Sequence, residues 1–113
     1  MGTNARRGEV SAMLDGKQYR LCLTLGALAE LETALGAGDL VSLGERFSTG
    51  RLSAKDMIAV IAAGLRGAGN ALDEADVGAM QVAGGLAEYA RIVADLLLAT
   101  FGAATTEVAS TNP

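Results

Sequence analysis

Two short runs of alternating apolar and polar residues open the regular part of the chain. Apolar side chains stand at every second position in residues 10–14 and again in residues 19–23. A period of two is typical of a strand with one buried face. Asp15 and Gly16 lie between the runs, and Asp-Gly favours a type I′ hairpin turn because both central residues need positive φ. A two-residue turn predicts one register, which pairs Leu14 with Lys17, Ala12 with Tyr19 and Val10 with Leu21.

At Thr24 the pattern changes to the spacing of an amphipathic helix, which should end near Leu35 because Gly36 follows it. Thr24 is the expected N-cap, since its hydroxyl can accept from an unpaired backbone N–H of the first turn. Leu23 and Leu28 flank this cap at the two positions of a hydrophobic staple. The apolar face of this helix is predicted to contain Leu25, Leu28, Leu31 and Leu35.

Two more helix starts follow in the middle of the chain. Asp39 is predicted to cap a short helix that ends at Gly50, and Ser53 to cap the next one with Asp56 three residues later. The helix after Ser53 is apolar nearly all round, which is typical of a buried helix. We therefore expect it at the centre of the domain.

The same capping pattern appears once more before the last helix. Asp73 is the predicted cap of a helix that runs to about Val82. A glycine pair then precedes a final helix over residues 86–101, with Glu88 and Arg91 among its solvent-facing residues. Its wide apolar stripe is predicted to contain Leu86, Tyr89, Val93, Leu96, Leu97 and Phe101.

These elements predict an α+β fold, with an N-terminal β-hairpin followed by a compact bundle of four to five helices. At 113 residues, the chain has the length of one domain. We expect that domain to span residues 8–102, between a flexible tail at 1–7 and a disordered tail at 103–113. Both tails lack periodicity and are mostly polar.

Composition and charge exclude several classes of partner. The formal net charge is −4, and nucleic-acid binding normally requires a basic patch. The longest mainly apolar run, residues 57–65, is shorter than the roughly 20 residues that span a bilayer. The N-terminus has no apolar segment typical of a signal peptide. We therefore expect a cytoplasmic protein that binds neither nucleic acid nor membrane.

No combination of residues predicts catalysis, a metal or a cofactor, so we expect that the protein is not an enzyme. Histidine is absent, which removes His-based triads and histidine metal sites. Cys22 is the single cysteine and is interpreted as a partly buried small apolar side chain. The glycine-rich run at 64–69 lacks the Lys-Ser/Thr of a phosphate-binding loop. The acids of residues 73–76 suit a helix N-terminus.

Protein contact is the remaining kind of site. Arg66 stands at a predicted bend, where it can face an acidic partner. Part of the final apolar stripe, with Leu86 and Tyr89, is a candidate surface for another protein, and the alternative is that the stripe is ordinary core. The hairpin edges can also accept a strand from another chain.

Three segments of the sequence resemble a known family: RLCLTLGALAELE at 20–32, GLRGAG at 64–69 and ATFG at 99–102. The chain resembles, over residues 8–102, the small tail protein of gene transfer agents and related phages, described both as a tail tube protein and as a tail assembly chaperone. The resemblance implies a role in tail morphogenesis, with the tape-measure or tube protein as partner. We favour the chaperone, because tube subunits are mainly β and this chain has only two clear strands. The alternatives are a tube subunit or a small adaptor or regulatory domain, and a homo-oligomer is possible in each case.

Overall fold

The computed structural model describes residues 8–49 and 52–102. The predicted tails and the predicted helix end at Gly50 lie outside the described residues. The two strands are β1 (Glu9–Leu14) and β2 (Lys17–Cys22). Five helices follow, and a π-helical segment, Leu98–Gly102, continues the last of them. The helices are α1 (Leu25–Leu35), α2 (Leu40–Ser48), α3 (Ala54–Gly67), α4 (Glu74–Ala79) and α5 (Gly85–Leu97). This architecture confirms the predicted α+β fold.

The hairpin forms as the alternating pattern predicts. Asp15 and Gly16 have φ of 55° and 79°, the positive values that a type I′ turn requires. All three predicted pairs are present in the antiparallel register. Ala12, Leu14 and Leu21 are buried, so one face of the sheet contributes to the core and the other faces solvent.

Helix α1 begins and ends where its caps predict, but one residue of its apolar face was assigned wrongly. The Thr24 hydroxyl accepts from the Ala27 N–H at 3.1 Å, and Gly36 ends the helix with φ 71°. Leu25 is 75% exposed. With 3.6 residues per turn, Leu25 lies roughly 90° around the helix from the mean direction of the three buried leucines. The core-facing residues of α1 are Ala27, Leu28, Leu31 and Leu35.

Helix α3 occupies the centre of the domain, as its nearly continuous apolar sequence predicts. Ser53 and Asp56 form a reciprocal capping box, each backbone N–H donating to the other side chain at 3.1 Å. All seven residues from Ala59 to Leu65 are buried. The helix packs against β2, α1, α4 and α5, so the remaining elements are arranged around it.

Two glycines of α3 allow the helix to cross β2 at very short range. A Cβ at Gly67 would lie 2.0 Å from the Cys22 carbonyl oxygen. A Cβ at Gly64 would lie 3.0 Å from Leu96 Cδ1 and 3.3 Å from Leu21 Cβ. Only residues without a side chain fit this backbone approach. Gly64 and Gly67 are therefore packing residues, whereas Gly69 lies in the turn after α3 with φ 98°.

Helix α4 is shorter than predicted. The capping box of Asp73 and Asp76 is present, but α4 ends at Ala79 and not near Val82. Met80 is already extended, with ψ 155°, and the carbonyl of Gln81 accepts from the Asp15 N–H at 2.8 Å. This hydrogen bond ties the connection after α4 to the hairpin turn, where a longer helix would place the carbonyl differently.

Helix α5 buries a narrower part of its predicted stripe. Val93 and Leu96 are buried as expected, together with Ile92, which the predicted stripe did not include. Leu86, assigned to the stripe, is 66% exposed. The core-facing side of α5 therefore centres on Ile92, Val93 and Leu96, and its first turn projects beyond the core.

We expect Gly67→Ala to destabilise the protein by at least about 2 kcal/mol, in the upper part of the overpacking range. The added methyl group would force α3 away from the Cys22 carbonyl. Gly44→Ala is the matched control: it is a helical glycine with no atom within 4 Å of an added Cβ. That change should raise stability by roughly 0.5–1 kcal/mol. Urea unfolding of both variants measures the difference, and equal effects would contradict the close approach.

A second pair of substitutions separates packing from capping at the start of α1. Leu28 is 7% exposed, so Leu28→Ala should cost about 2–5 kcal/mol of unfolding free energy. Thr24→Ala removes one capping hydrogen bond and should cost about 1 kcal/mol. Thermal and urea melts rank the two, and the reverse order would show that Leu28 is not a core residue.

Candidate protein-interaction site

An apolar groove lies where α3, α4 and α5 meet. Its volume is about 200 Å³, and we call it the α3–α5 groove. Its walls come from the first half of α3, the end of α4 and the first turns of α5. The lining residues are Ala54, Met57, Ile58, Val77, Gly78, Met80, Leu86 and Tyr89.

The groove exists because a short helix and a glycine leave the space between α3 and α5 incompletely filled. Helix α4 has only six residues and anchors itself through Val77, which is 1% exposed. Beside Val77, Gly78 offers no side chain, and a Cβ built there would meet Ile58 Cδ1 at 3.7 Å. The side chains of Met57 and Met80 remain partly buried against the core. Methionine is flexible and polarisable, so this lining can adapt to different apolar surfaces.

Tyr89 is fixed at one wall by its hydroxyl group. The hydroxyl donates to the Met80 carbonyl oxygen at 2.8 Å, which satisfies a backbone acceptor just after the end of α4. Burial raises the pKa of Tyr89, and the charge of Asp15 raises it further. The phenol is therefore neutral at physiological pH, and its ring is held against the groove.

Leu86 forms the exposed rim of the same groove. It lies in the first turn of α5, which begins after Gly84 at φ 94°. With 66% exposure, Leu86 presents most of its apolar surface to solvent. The structure thus brings together two of the three residues that the sequence suggested for protein contact, Leu86 and Tyr89.

Arg66, the third suggested residue, does not line the groove and is engaged within the chain. Its Nε donates to Glu30 Oε1 at 3.2 Å and its Nη1 to the Leu72 carbonyl at 3.0 Å. Glu74 lies 3.8 Å from the same guanidinium. The hydrogen bond with Glu30 raises the pKa of Arg66 against the opposing effect of burial. Arg66 therefore connects α1, α3 and α4, and its role as a partner contact stays a prediction.

Three groove residues were not predicted as site residues: Met57, Ile58 and Met80. Met57 and Ile58 belong to the helix that was predicted to be buried at the centre of the domain. Helical periodicity identifies apolar positions, but it does not show which of them a short neighbouring helix leaves uncovered. One sequence feature does point to the groove: the glycine after Val77 removes a side chain from a short amphipathic segment and so leaves space beside it.

A wider and more polar depression lies beside α2. Gly36, Ala37, Gly38, Ser42, Glu45, Arg46 and Thr49 line it. Its one cation, Arg46, donates to the Leu35 carbonyl at 2.7 Å and lies 3.5 Å from the buried Asp56. Arg46 thus joins the end of α1 to the start of α3, and we assign it a structural role.

The described residues contain few other candidate sites. Within the ranges 8–49 and 52–102, cysteine and acidic side chains form no group of three or more that could hold a metal ion. Among the helices described there, none has the length and hydropathy that crossing a membrane requires. The α3–α5 groove is therefore the feature on which we base a functional interpretation.

The fold and the groove define a small α+β protein whose main candidate site is an apolar contact surface. A family model described as phage tail tube protein, GTA-gp10, matches residues 7–103 of the chain, so the chain belongs to this family and is related to the tails of phages and gene transfer agents. This match confirms the resemblance carried by the three sequence segments. Comparisons with curated proteins and with solved structures give no match.

The raised pKa of Tyr89 gives a direct test of its position. The chain has two tyrosines, so a Tyr19→Phe variant leaves Tyr89 as the only titrating phenol. Ultraviolet titration should give a pKa above the ordinary value of 10.0, and denaturant should return it to that value. The associated stabilisation is present below about pH 10 and is lost as the pH rises through the raised pKa. An ordinary pKa in the folded variant would contradict the partly buried, hydrogen-bonded phenol.

Proposed function

We propose that the protein is a tail assembly chaperone that binds another tail component through the α3–α5 groove. The observation that carries this proposal is the exposed Leu86 at the rim of an apolar, methionine-containing groove. Solvent-exposed apolar surface of this kind is typical of protein contact. Family membership supplies the setting, since the proteins available to a tail protein during assembly are other tail components.

The proposed ligand is an apolar helical stretch of the tape-measure protein. A volume of about 200 Å³ accommodates one or two large apolar side chains. An amphipathic helix inserts such anchors from one face when it lies in a groove. Methionines in the lining suit transient binding to several related segments, because they repack at low cost. The tube protein is the second candidate partner.

A structural tail tube subunit is the alternative function, and the family description, phage tail tube protein, favours it. Against it stands the small sheet, two strands of six residues each, which offers little surface for a ring built from sheets. A small adaptor or regulatory domain is the third possibility. In all three cases we propose a cytoplasmic protein without catalytic activity or cofactor.

The presence of the protein in mature particles discriminates between the first two functions. A chaperone should be required for tail formation but absent from finished tails, whereas a tube subunit should be present in many copies. Mass spectrometry of purified particles, with the tape-measure protein as internal reference, measures this. Abundant peptides from this chain would overturn the chaperone proposal and support the tube subunit.

Substitution of Leu86 tests the groove itself. Leu86→Asp places a charge at the rim of the groove, and because Leu86 is exposed the fold should tolerate it. Co-purification with the tape-measure protein should fall at least tenfold. Leu98→Asp is the matched control. Leu98 lies in the π-helical segment that continues α5 and is 58% exposed, but it does not line the groove. Equal binding by both variants would exclude the groove as the contact surface.

A further inference from the structure

The two edges of the hairpin present different sets of backbone groups. A two-residue turn makes its flanking residues, Leu14 and Lys17, a hydrogen-bonded pair. Such pairs alternate with pairs whose N–H and C=O groups point away from the partner strand. In the observed register, the outward-pointing groups therefore belong to Glu9, Ser11 and Met13 on β1 and to Gln18, Arg20 and Cys22 on β2.

The outer edge of β2 is covered by the chain itself. The Asn70 amide donates to the outward carbonyl of Arg20 at 3.0 Å. At Cys22, the close approach of Gly67 covers the outward carbonyl with the backbone of α3. These contacts occupy two of the three outward positions of β2 and prevent another strand from pairing along its length, so β1 is the edge that can still accept one.

The outer edge of β1 remains open at Ser11 and Met13. Ser11 is exposed and Met13 is 54% exposed. In the part of the chain that the structure describes, the outward backbone groups of these two residues have no hydrogen-bond partner; the nearest such contact is the Asp15–Gln81 bond beyond them. Strand β1 contains no lysine, arginine or proline, the residues that usually protect an edge from pairing.

We propose that β1 pairs with β1 of a second copy of this chain, antiparallel and about a two-fold axis at Ser11. The outward-pointing residues are spaced symmetrically around Ser11, so this register uses all of them. Ser11 then lies opposite Ser11 of the second copy, and Glu9 opposite Met13. The product is a closed dimer with one four-stranded sheet, which is more stable than an isolated two-stranded ribbon.

The side chains of β1 are compatible with their own copies in this register. Val10 lies opposite Ala12 of the second copy, so the apolar face continues across the dimer. Glu9 is the only charged residue of β1, and the two Glu9 carboxylates are four residues apart along the pairing. At about 3.4 Å per residue this is roughly 13 Å, beyond the screening length at physiological salt. Like charges are therefore kept apart, and a second copy is a chemically suitable occupant.

This proposal is independent of the tail assembly function, because β1 takes no part in the α3–α5 groove. Sedimentation equilibrium of the full chain measures the dimer directly. The wild-type mass should rise from 11.4 kDa towards twice that value as the concentration increases. Ser11→Lys places two lysines opposite each other at the two-fold axis and should remain monomeric over the same range. Gln18→Lys, an exposed residue on the same face but on β2, is the matched control and should dimerise like wild type.

Hydrogen exchange of the wild-type chain needs no variant and shows which strand pairs with the open edge of β1. The amides of Ser11 and Met13 should exchange rapidly at low concentration and become at least tenfold slower when the dimer forms. A wild-type chain that stays monomeric at all concentrations overturns the proposal, as does a Ser11→Lys variant that folds and dimerises normally. Protection of the two amides only after addition of another tail protein would also overturn it, because the occupant would then be a strand of that protein.

Discussion

The approach of α3 to β2 is the contact on which the rest of this structure depends. Gly67 lies against the Cys22 carbonyl and Gly64 against Leu21 and Leu96, so a helix crosses a two-stranded sheet with almost no side chains between them. A two-stranded sheet is marginal alone. It is stable here because α3 packs against β2 and α5 packs against β1, while Gly67 and Asn70 lie against the outer edge of β2. With only 4% aromatic residues, the core is built from aliphatic side chains, mainly leucine, isoleucine, valine and alanine.

Local signals in the sequence predicted most of the secondary structure. Thr24, Ser53 and Asp73 each cap the helix that they were expected to cap, because capping depends on residues only three positions apart. The Asp15-Gly16 turn fixed the strand register for the same reason. The predictions that were wrong concern features that depend on contacts between residues far apart in the sequence. Leu25 continues the helical spacing of α1, but its side chain is exposed to solvent. Helix α4 is shorter than predicted, and the Gln81 carbonyl after it accepts a hydrogen bond from the hairpin turn.

The candidate site was predictable only in part. The apolar stripe of α5 indicated Leu86 and Tyr89, and the structure places both at one groove. Their partners on α3 and α4 become neighbours through tertiary packing, which periodicity along one helix does not describe. Arg66 was predicted to stand at a bend where it can face an acidic partner, and in the structure it pairs with acids of α1 and α4. In the glycine-rich run at 64–69, Gly64 and Gly67 lie where α3 packs closely against β2, and Gly69 lies in the turn that follows.

The hydrogen bond between the Asp15 amide and the Gln81 carbonyl links the two surfaces of the molecule. Gln81 follows Met80, a wall of the groove, and Asp15 follows β1, the open strand. A ligand that displaces the Met80 wall therefore acts on a bond worth about 0.5–1.5 kcal/mol. Because this bond runs from the connection after α4 to the hairpin turn, the position of the Met80 wall and the geometry of the turn depend on each other.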